Sequence, residues 1–193
     1  MARHLNDSHA RPIDLLLGRH SVGRLDSPGP KGETLERIKK SALRAPDHAA
    51  LKPWRFIVVD GESRERLGQL FAKAAIRDQP DLSEEKIHQY LSMPKRAPLV
   101  IIGVCCYSDH PKVPKSEQLL SAGAAMSYML AAAQAENFGA IWRTGPMAYH
   151  DTVSEGLGLA ANEEIVGFLY IGTPSGSPKK IAGIETDRFF SSW

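Results

Sequence analysis

The sequence is poor in the features that mark several large classes of protein. Its only two cysteines, Cys105 and Cys106, are adjacent, so they indicate no disulfide framework. The net charge is only +2, too small for a broad basic face that binds nucleic acid. The longest uncharged stretch, 118–135, includes Gln, Ser, Tyr and Gly and falls short of the about 20 strongly apolar residues that span a membrane. We therefore predict a cytoplasmic globular protein with no nucleic-acid or membrane partner.

Recognisable catalytic and metal-binding motifs are also scarce. The seven histidines show neither an HExxH pattern nor another paired ligand spacing, so no metal site is expected. Asp47 and His48 are neighbours that would suit the relay of a hydrolase. Because nothing in the sequence places a serine beside them, that alternative stays open.

The order of predicted elements indicates one domain of the α+β class. Residues 1–11 have no apolar core and are expected to form a flexible N-terminal tail, whereas 12–193 form the domain. Apolar residues at helical spacing predict helices at 34–44, 62–78, 83–92, 116–138 and 150–157, after a first short helix opened by Pro12. Apolar runs predict strands at 54–60, 98–107, 139–145 and 164–174. Helices and strands in this order predict packing around one central sheet.

The first short helix ends abruptly in Arg19, His20 and Ser21. A guanidinium offers a planar fork of donors suited to phosphate oxygens, and a nearby hydroxyl adds another donor. The alternative is a solvated helix end, where basic residues only offset the negative end of the helix dipole. This segment alone does not decide between the two.

Two further segments favour an anion site. Arg44 and His48 lie in a loop bounded by prolines before a predicted strand. Arg143 follows Trp142 at the end of another. Three separate basic points beside apolar or aromatic residues suit a ligand with a phosphate tail and a flat ring system.

The ordered set of motifs resembles the nitroreductase family of FMN-dependent oxidoreductases, and within it a compact YdjA-like subgroup. The resemblance rests on "RHS" after a short helix, "RAPDHAALKPWRFIVV", and a long small-residue helix ending in "FGAIWRTG". It covers the chain from about residue 12 to the end. It implies a central mixed β-sheet flanked by helices and a homodimer with FMN at the subunit interface.

The resemblance also implies roles for particular residues. The first motif would hold the flavin phosphate and ribityl chain, the "WRT" segment would also reach FMN, and the proline-bounded loop would approach the flavin from the partner subunit. These cofactor-binding residues are Arg19, His20, Ser21, Trp142, Arg143, Thr144, Arg44 and His48. No catalytic side chain is expected, because the flavin carries the chemistry.

The implied activity is transfer of hydride from NAD(P)H through flavin N5 to a small acceptor such as a nitroaromatic or a quinone. A flavin-binding carrier or sensor without turnover is the alternative. The chain departs from the family where a loop asparagine and glutamine are customary, since these positions hold Ala50 and Lys52. Arg24 and His48 are the two candidates for meeting the pyrimidine edge of the flavin instead.

Overall fold

A computed structural model describes residues 11–176, 183 and 185–193. The predicted flexible tail lies, except for Arg11, outside the described residues. The six helices of the described part are α1 (Pro12–Leu17), α2 (Gly32–Ala42), α3 (Ser63–Asp78), α4 (Glu84–Ser92), α5 (Lys115–Ala135) and α6 (Asp151–Gly156). The five strands of the described part are β1 (Leu25–Asp26), β2 (Trp54–Asp60), β3 (Leu99–Cys106), β4 (Gly139–Arg143) and β5 (Glu163–Pro174).

The strands form one sheet in the order β1-β5-β3-β2, and β4 also pairs with β5. The α+β class with helices flanking a central sheet is confirmed. The detail of a mixed sheet needs correction, since every pairing between described strands is antiparallel. The reason is strand order: β3 and β4 run in the same direction, but β5 lies between them. The four predicted strands correspond to β2–β5, and the two-residue β1 was missed.

The central strands β3 and β5 are covered on both faces, as their continuous apolar runs predict. On one face, Val100 and Ile102 pack into a cluster with Phe71 of α3 and Phe168 of β5, whose rings meet edge to face at 5.3 Å. On the other face, Leu99 and Ile101 pack with two methionines of α5, Met126 and Met129. Alternation along β3 therefore joins the sheet to a helix layer on each side.

Helix α5 is covered on one side only by its own chain. Its buried residues are Gln118, Ser121, Ala122, Ala125, Met126, Met129, Leu130 and Ala133. On the opposite side Leu120 is 72% exposed, and small residues such as Ser127 and Ala135 are exposed with it. Within the described part of the chain, no helix combines the length and apolar character needed to cross a bilayer.

Candidate functional site

The segment that follows α1 lies alongside β4. The Val22 N–H donates to the Ala140 carbonyl oxygen at 3.0 Å. An added Cβ at Gly23 would lie 3.8 Å from Nη2 of Arg143, so this guanidinium reaches the segment. The structure thus brings Arg19, His20 and Ser21 to the strand that carries the second basic segment, although the two are more than 100 residues apart in sequence.

The end of α1 fixes the backbone of this segment. The N–H groups of Gly18 and Arg19 donate to carbonyls of the helix, and the short helix ends there. Nδ1 of His20 lies 3.0 Å from the Gly18 carbonyl oxygen, and because a carbonyl only accepts, Nδ1 carries the hydrogen. His20 is therefore folded back onto the helix end, while Arg19 and Ser21 remain exposed. Two donors are left free for a ligand from solvent.

The Trp142 indole is held beneath this surface. Its Nε1–H donates to the Val166 carbonyl oxygen at 3.3 Å, and its outer edge lies near Gly123 of α5. An added Cβ at Gly167 would come within 2.1 Å of the indole nitrogen, so only glycine fits there. Arg143 and Thr144 follow and are exposed. Trp142 therefore supports the strand end from below, and the two residues after it face solvent.

Arg44 and His48 lie elsewhere, in the loop between α2 and β2. His48 Nδ1 is 2.6 Å from an Oε2 of Glu117, in the first turn of α5. The Lys52 N–H donates to the Asp47 carboxylate, also at 2.6 Å. The Asp47–His48 relay of a hydrolase is not formed, because each of these side chains is paired with a different group.

The same loop carries unusual backbone geometry. Ala49, Ala50 and Lys52 have φ of 61°, 54° and 50°, in the left-handed region that residues with a Cβ rarely adopt. Each such residue costs on the order of 1 kcal/mol. A loop with three of them in four positions is held by its surroundings, and strain of this kind collects at functional sites.

The two groups of predicted site residues lie against different ends of α5. Near its C-terminus, Gln134 Nε2 donates to the Leu15 carbonyl oxygen of α1 at 3.4 Å. Near its N-terminus, Glu117 holds His48. At 1.5 Å per residue, these two contact points are about 25 Å apart along the helix axis. One chain therefore does not bring all eight predicted residues to a single ligand.

A separate ion pair at the end of the sheet has a structural character. Arg55 holds the Glu163 carboxylate through two contacts of 2.7 Å and lowers the pKa of Glu163 to about 2. Burial, with Glu163 as the next cause, raises the pKa of Cys106 to about 11, and burial raises that of Cys105 to about 11. Both thiols thus stay protonated at neutral pH, which argues against a reactive thiolate. The described residues contain no group of three His, Cys, Asp or Glu suited to a metal.

Sequence reasoning missed Glu117 as a neighbour of the site. It lies 69 residues from His48, in a helix whose notable feature is its lack of charge after position 117. A charged residue opening that uncharged helix is the only signal that the sequence offers. Its pairing with the loop depends on tertiary packing.

Comparison with known proteins identifies the family. The sequence matches the Nitroreductase family over residues 16–173, so the chain belongs to that family. It is 42% identical over 162 residues to an Escherichia coli K12 protein named "Putative NAD(P)H nitroreductase YdjA", covering 84% of this chain and 87% of the relative. A Haemophilus influenzae relative, also named as an NAD(P)H nitroreductase of that provisional kind, is 39% identical over 163 residues and is covered to 87%.

Solved structures support the same fold. A nitroreductase-like protein from Bacillus cereus superposes with a TM-score of 0.81 at 21% identity, covering 96% of this chain and 97% of that one. A mutant of the FMN- and NADPH-dependent nitroreductase NfnB, from a Sphingopyxis strain written there as sphigopyxis, superposes with a TM-score of 0.75 at 17% identity, covering 95% and 99%. At these identities the likeness shows the fold alone.

Proposed function

We propose that this protein is an FMN-dependent NAD(P)H oxidoreductase that passes a hydride to a small acceptor such as a nitroaromatic or a quinone. The observation that carries the proposal is the convergence of Arg19, Ser21 and Arg143 beside the end of β4, with free donors directed to solvent. The names of the relatives support NAD(P)H as reductant, and solved nitroreductases described as FMN-dependent support the cofactor.

The chain's own residues would bind and orient the cofactor. Arg19 and Arg143 supply guanidinium donors suited to a terminal phosphate, and the Ser21 hydroxyl adds a neutral one. Trp142, fixed against β5, sets the position of Arg143 and Thr144 at the strand end. Bound FMN would supply the hydride chemistry, and no side chain needs to act as acid or base.

A homodimer would complete the site. A two-fold axis crossing α5 near its middle would place the N-terminal end of one α5 beside the C-terminal end of the other. The His48 loop of one subunit would then face Arg19 and Arg143 of its partner. Symmetric dimers use the same surface twice, and the exposed face of α5 is apolar enough to serve, with Leu120 at 72% exposure.

Other exposed apolar side chains favour the same assembly. Leu16 and Leu17 of α1 are 58% and 70% exposed. Phe189 and Phe190, in the aromatic C-terminal segment, are 71% and 77% exposed. Large apolar patches on a single chain commonly mark interfaces. We propose that the partner subunit covers these side chains together with α5.

The shared site also favours His48 over Arg24 as the residue that meets the pyrimidine edge. The Arg24 carbonyl oxygen accepts from the Ser175 N–H, and its side chain lies against Gly176, beside the end of β5. His48 uses only Nδ1 within its own chain. Its loop is the part of the site that the partner would supply, where the family's amide-bearing loop also lies.

Purification with added FMN tests the proposal. We expect a yellow protein whose released cofactor has the mass of FMN. NADPH or NADH should bleach it, and a quinone should restore the colour. A colourless protein would contradict the FMN assignment, whereas a yellow protein that NAD(P)H does not bleach would favour a flavin carrier or sensor.

A further inference from the structure

We propose that Glu117 is a positioning residue for His48. It fixes the imidazole hydrogen on Nδ1, so that Nε2 is the atom presented to FMN held by the partner subunit. This inference rests on the proposed FMN-dependent function. It adds a residue that the family motifs in the sequence do not include.

The geometry of the pair sets the tautomer. Nδ1 of His48 and Oε2 of Glu117 are 2.6 Å apart, a short distance typical of a charge-assisted hydrogen bond. A carboxylate at neutral pH only accepts, so Nδ1 must donate. Across the residues that the structure describes, Nε2 of His48 has no hydrogen-bond partner and is left for a ligand. The carboxylate therefore decides which ring nitrogen the ligand meets.

Stability does not explain this pair. The side chains of His48 and Glu117 are 54% and 46% exposed in the single chain. Exposed ion pairs contribute little to the free energy of unfolding. The value of the contact therefore lies in the orientation that it gives the ring, which in the proposed dimer faces the partner.

The backbone around His48 is held in the same way. Directly after it come Ala49 and Ala50 with positive φ, and the Asp47 carboxylate binds the Lys52 N–H on the far side of the loop. One tie comes from within the loop, and the other comes from the rigid helix α5. Two independent carboxylate ties on a strained loop are more than a connection between α2 and β2 requires.

The resulting chemistry suits the position that the family's amide occupies. A neutral imidazole with its hydrogen on Nδ1 offers a lone pair at Nε2. The pyrimidine ring of a flavin carries an N–H donor, which such a lone pair can accept. The charged groups near the ring are Glu117 and, on its own loop, Asp47, whose carboxylate is already taken by Lys52.

The test compares Glu117→Ala with Glu117→Gln, because the glutamine amide oxygen can still accept from Nδ1. Histidine ¹⁵N spectra of the FMN-loaded protein at pH 8.5, where an ordinary imidazole is neutral, report the tautomer. We expect the hydrogen on Nδ1 in the wild type and in Glu117→Gln, and a mixture in Glu117→Ala. FMN affinity should fall roughly 10-fold in Glu117→Ala, a size found for residues in direct contact, and less than about 3-fold in Glu117→Gln.

Two controls separate positioning from general damage. Glu65→Ala removes a comparable exposed ion pair, that with Lys95, and should change neither the tautomer nor the affinity. In a His48→Ala background, Glu117→Ala should cause no further loss. Additive losses, or an unchanged tautomer in Glu117→Ala, would overturn the role of Glu117. Absence of FMN binding by the wild type would instead overturn the proposed function, so the two failures are distinguishable.

Discussion

The two halves of the proposed FMN site differ in how their backbone is held. The segment with Arg19 and Ser21 follows an ordinary helix end and gains its position from one hydrogen bond to β4. The loop with His48 contains three residues of positive φ and is tied down by two carboxylates. The first half offers charge to an anion. The second holds a ring in one orientation at a cost in backbone strain.

This difference suggests a division of labour. Phosphate is spherical in its demands and is satisfied by mobile guanidinium groups from a simple turn. The edge of a flat ring needs a donor or acceptor at one place, and rigid presentation serves that purpose. Substitutions in the first half should therefore act through charge, and those in the second through geometry.

The largest effect is expected in the half that acts through charge. Arg19→Ala should weaken FMN binding by about 10- to 150-fold, since a charge-assisted contact is worth roughly 1.5–3 kcal/mol. Arg24→Ala is the matched control, because Arg24 lies against the end of β5, and it should cost much less. Fluorescence titration of the apo variants measures both. Equal losses would mean that the phosphate is placed wrongly.

Substitution in the scaffold should change stability without changing either half. Glu163→Gln weakens the ion pair with Arg55 and should lower the free energy of unfolding by roughly 2 kcal/mol at pH 7. The folded-state pKa of Glu163 is lowered from 4.5 to about 2, so its contribution is present above about pH 4.5 and is lost as the pH falls toward 2. Denaturant titrations from pH 7 to pH 3 should show a shallower acid loss in the variant.

The FMN affinity of Glu163→Gln should stay within about twofold of the wild type at neutral pH, because the pair touches neither half of the site. A large loss of affinity there would show that the comparison between the halves cannot be made independently of the scaffold. An unchanged acid profile would contradict the role given to the pair with Arg55.

The smallest effect is expected from relief of strain in the second half. Ala50→Gly removes a Cβ from a left-handed position and should raise the free energy of unfolding by about 0.5 kcal/mol, after the entropy of glycine is counted. FMN should bind a few-fold more weakly, since the loop is looser. Ala161→Gly, in an exposed turn without positive φ, is the control and should destabilise slightly. Denaturant melts and FMN titration test both; a destabilised Ala50→Gly would contradict the account of strain.

Much of the fold was predictable because hydrophobic period and length determine it locally. The run from Leu99 to Cys106 reads as a covered strand and is one, and 54–60 matches β2 at both ends. The two-residue β1 was missed because so short a segment has no period. The antiparallel pairing of the whole sheet was missed because strand order is a tertiary property.

The site was predictable only in part. The sequence separates Arg19 from Arg143 by more than 100 residues, and only the resemblance to a family joined them before the structure did. Nothing local indicated that Glu117 would meet His48, or that Ala49 and Ala50 would adopt a conformation that alanine avoids. Such features depend on long-range packing, which overrides local preference.

Complementation between subunits tests the shared site most directly. A purified heterodimer of one Arg19→Ala chain and one His48→Ala chain has both lesions in one site and none in the other, if each site takes Arg19 from one subunit and His48 from its partner. We predict that each homodimer binds FMN weakly and that the heterodimer binds one FMN with wild-type affinity. A heterodimer with two equally weakened sites would contradict the shared site.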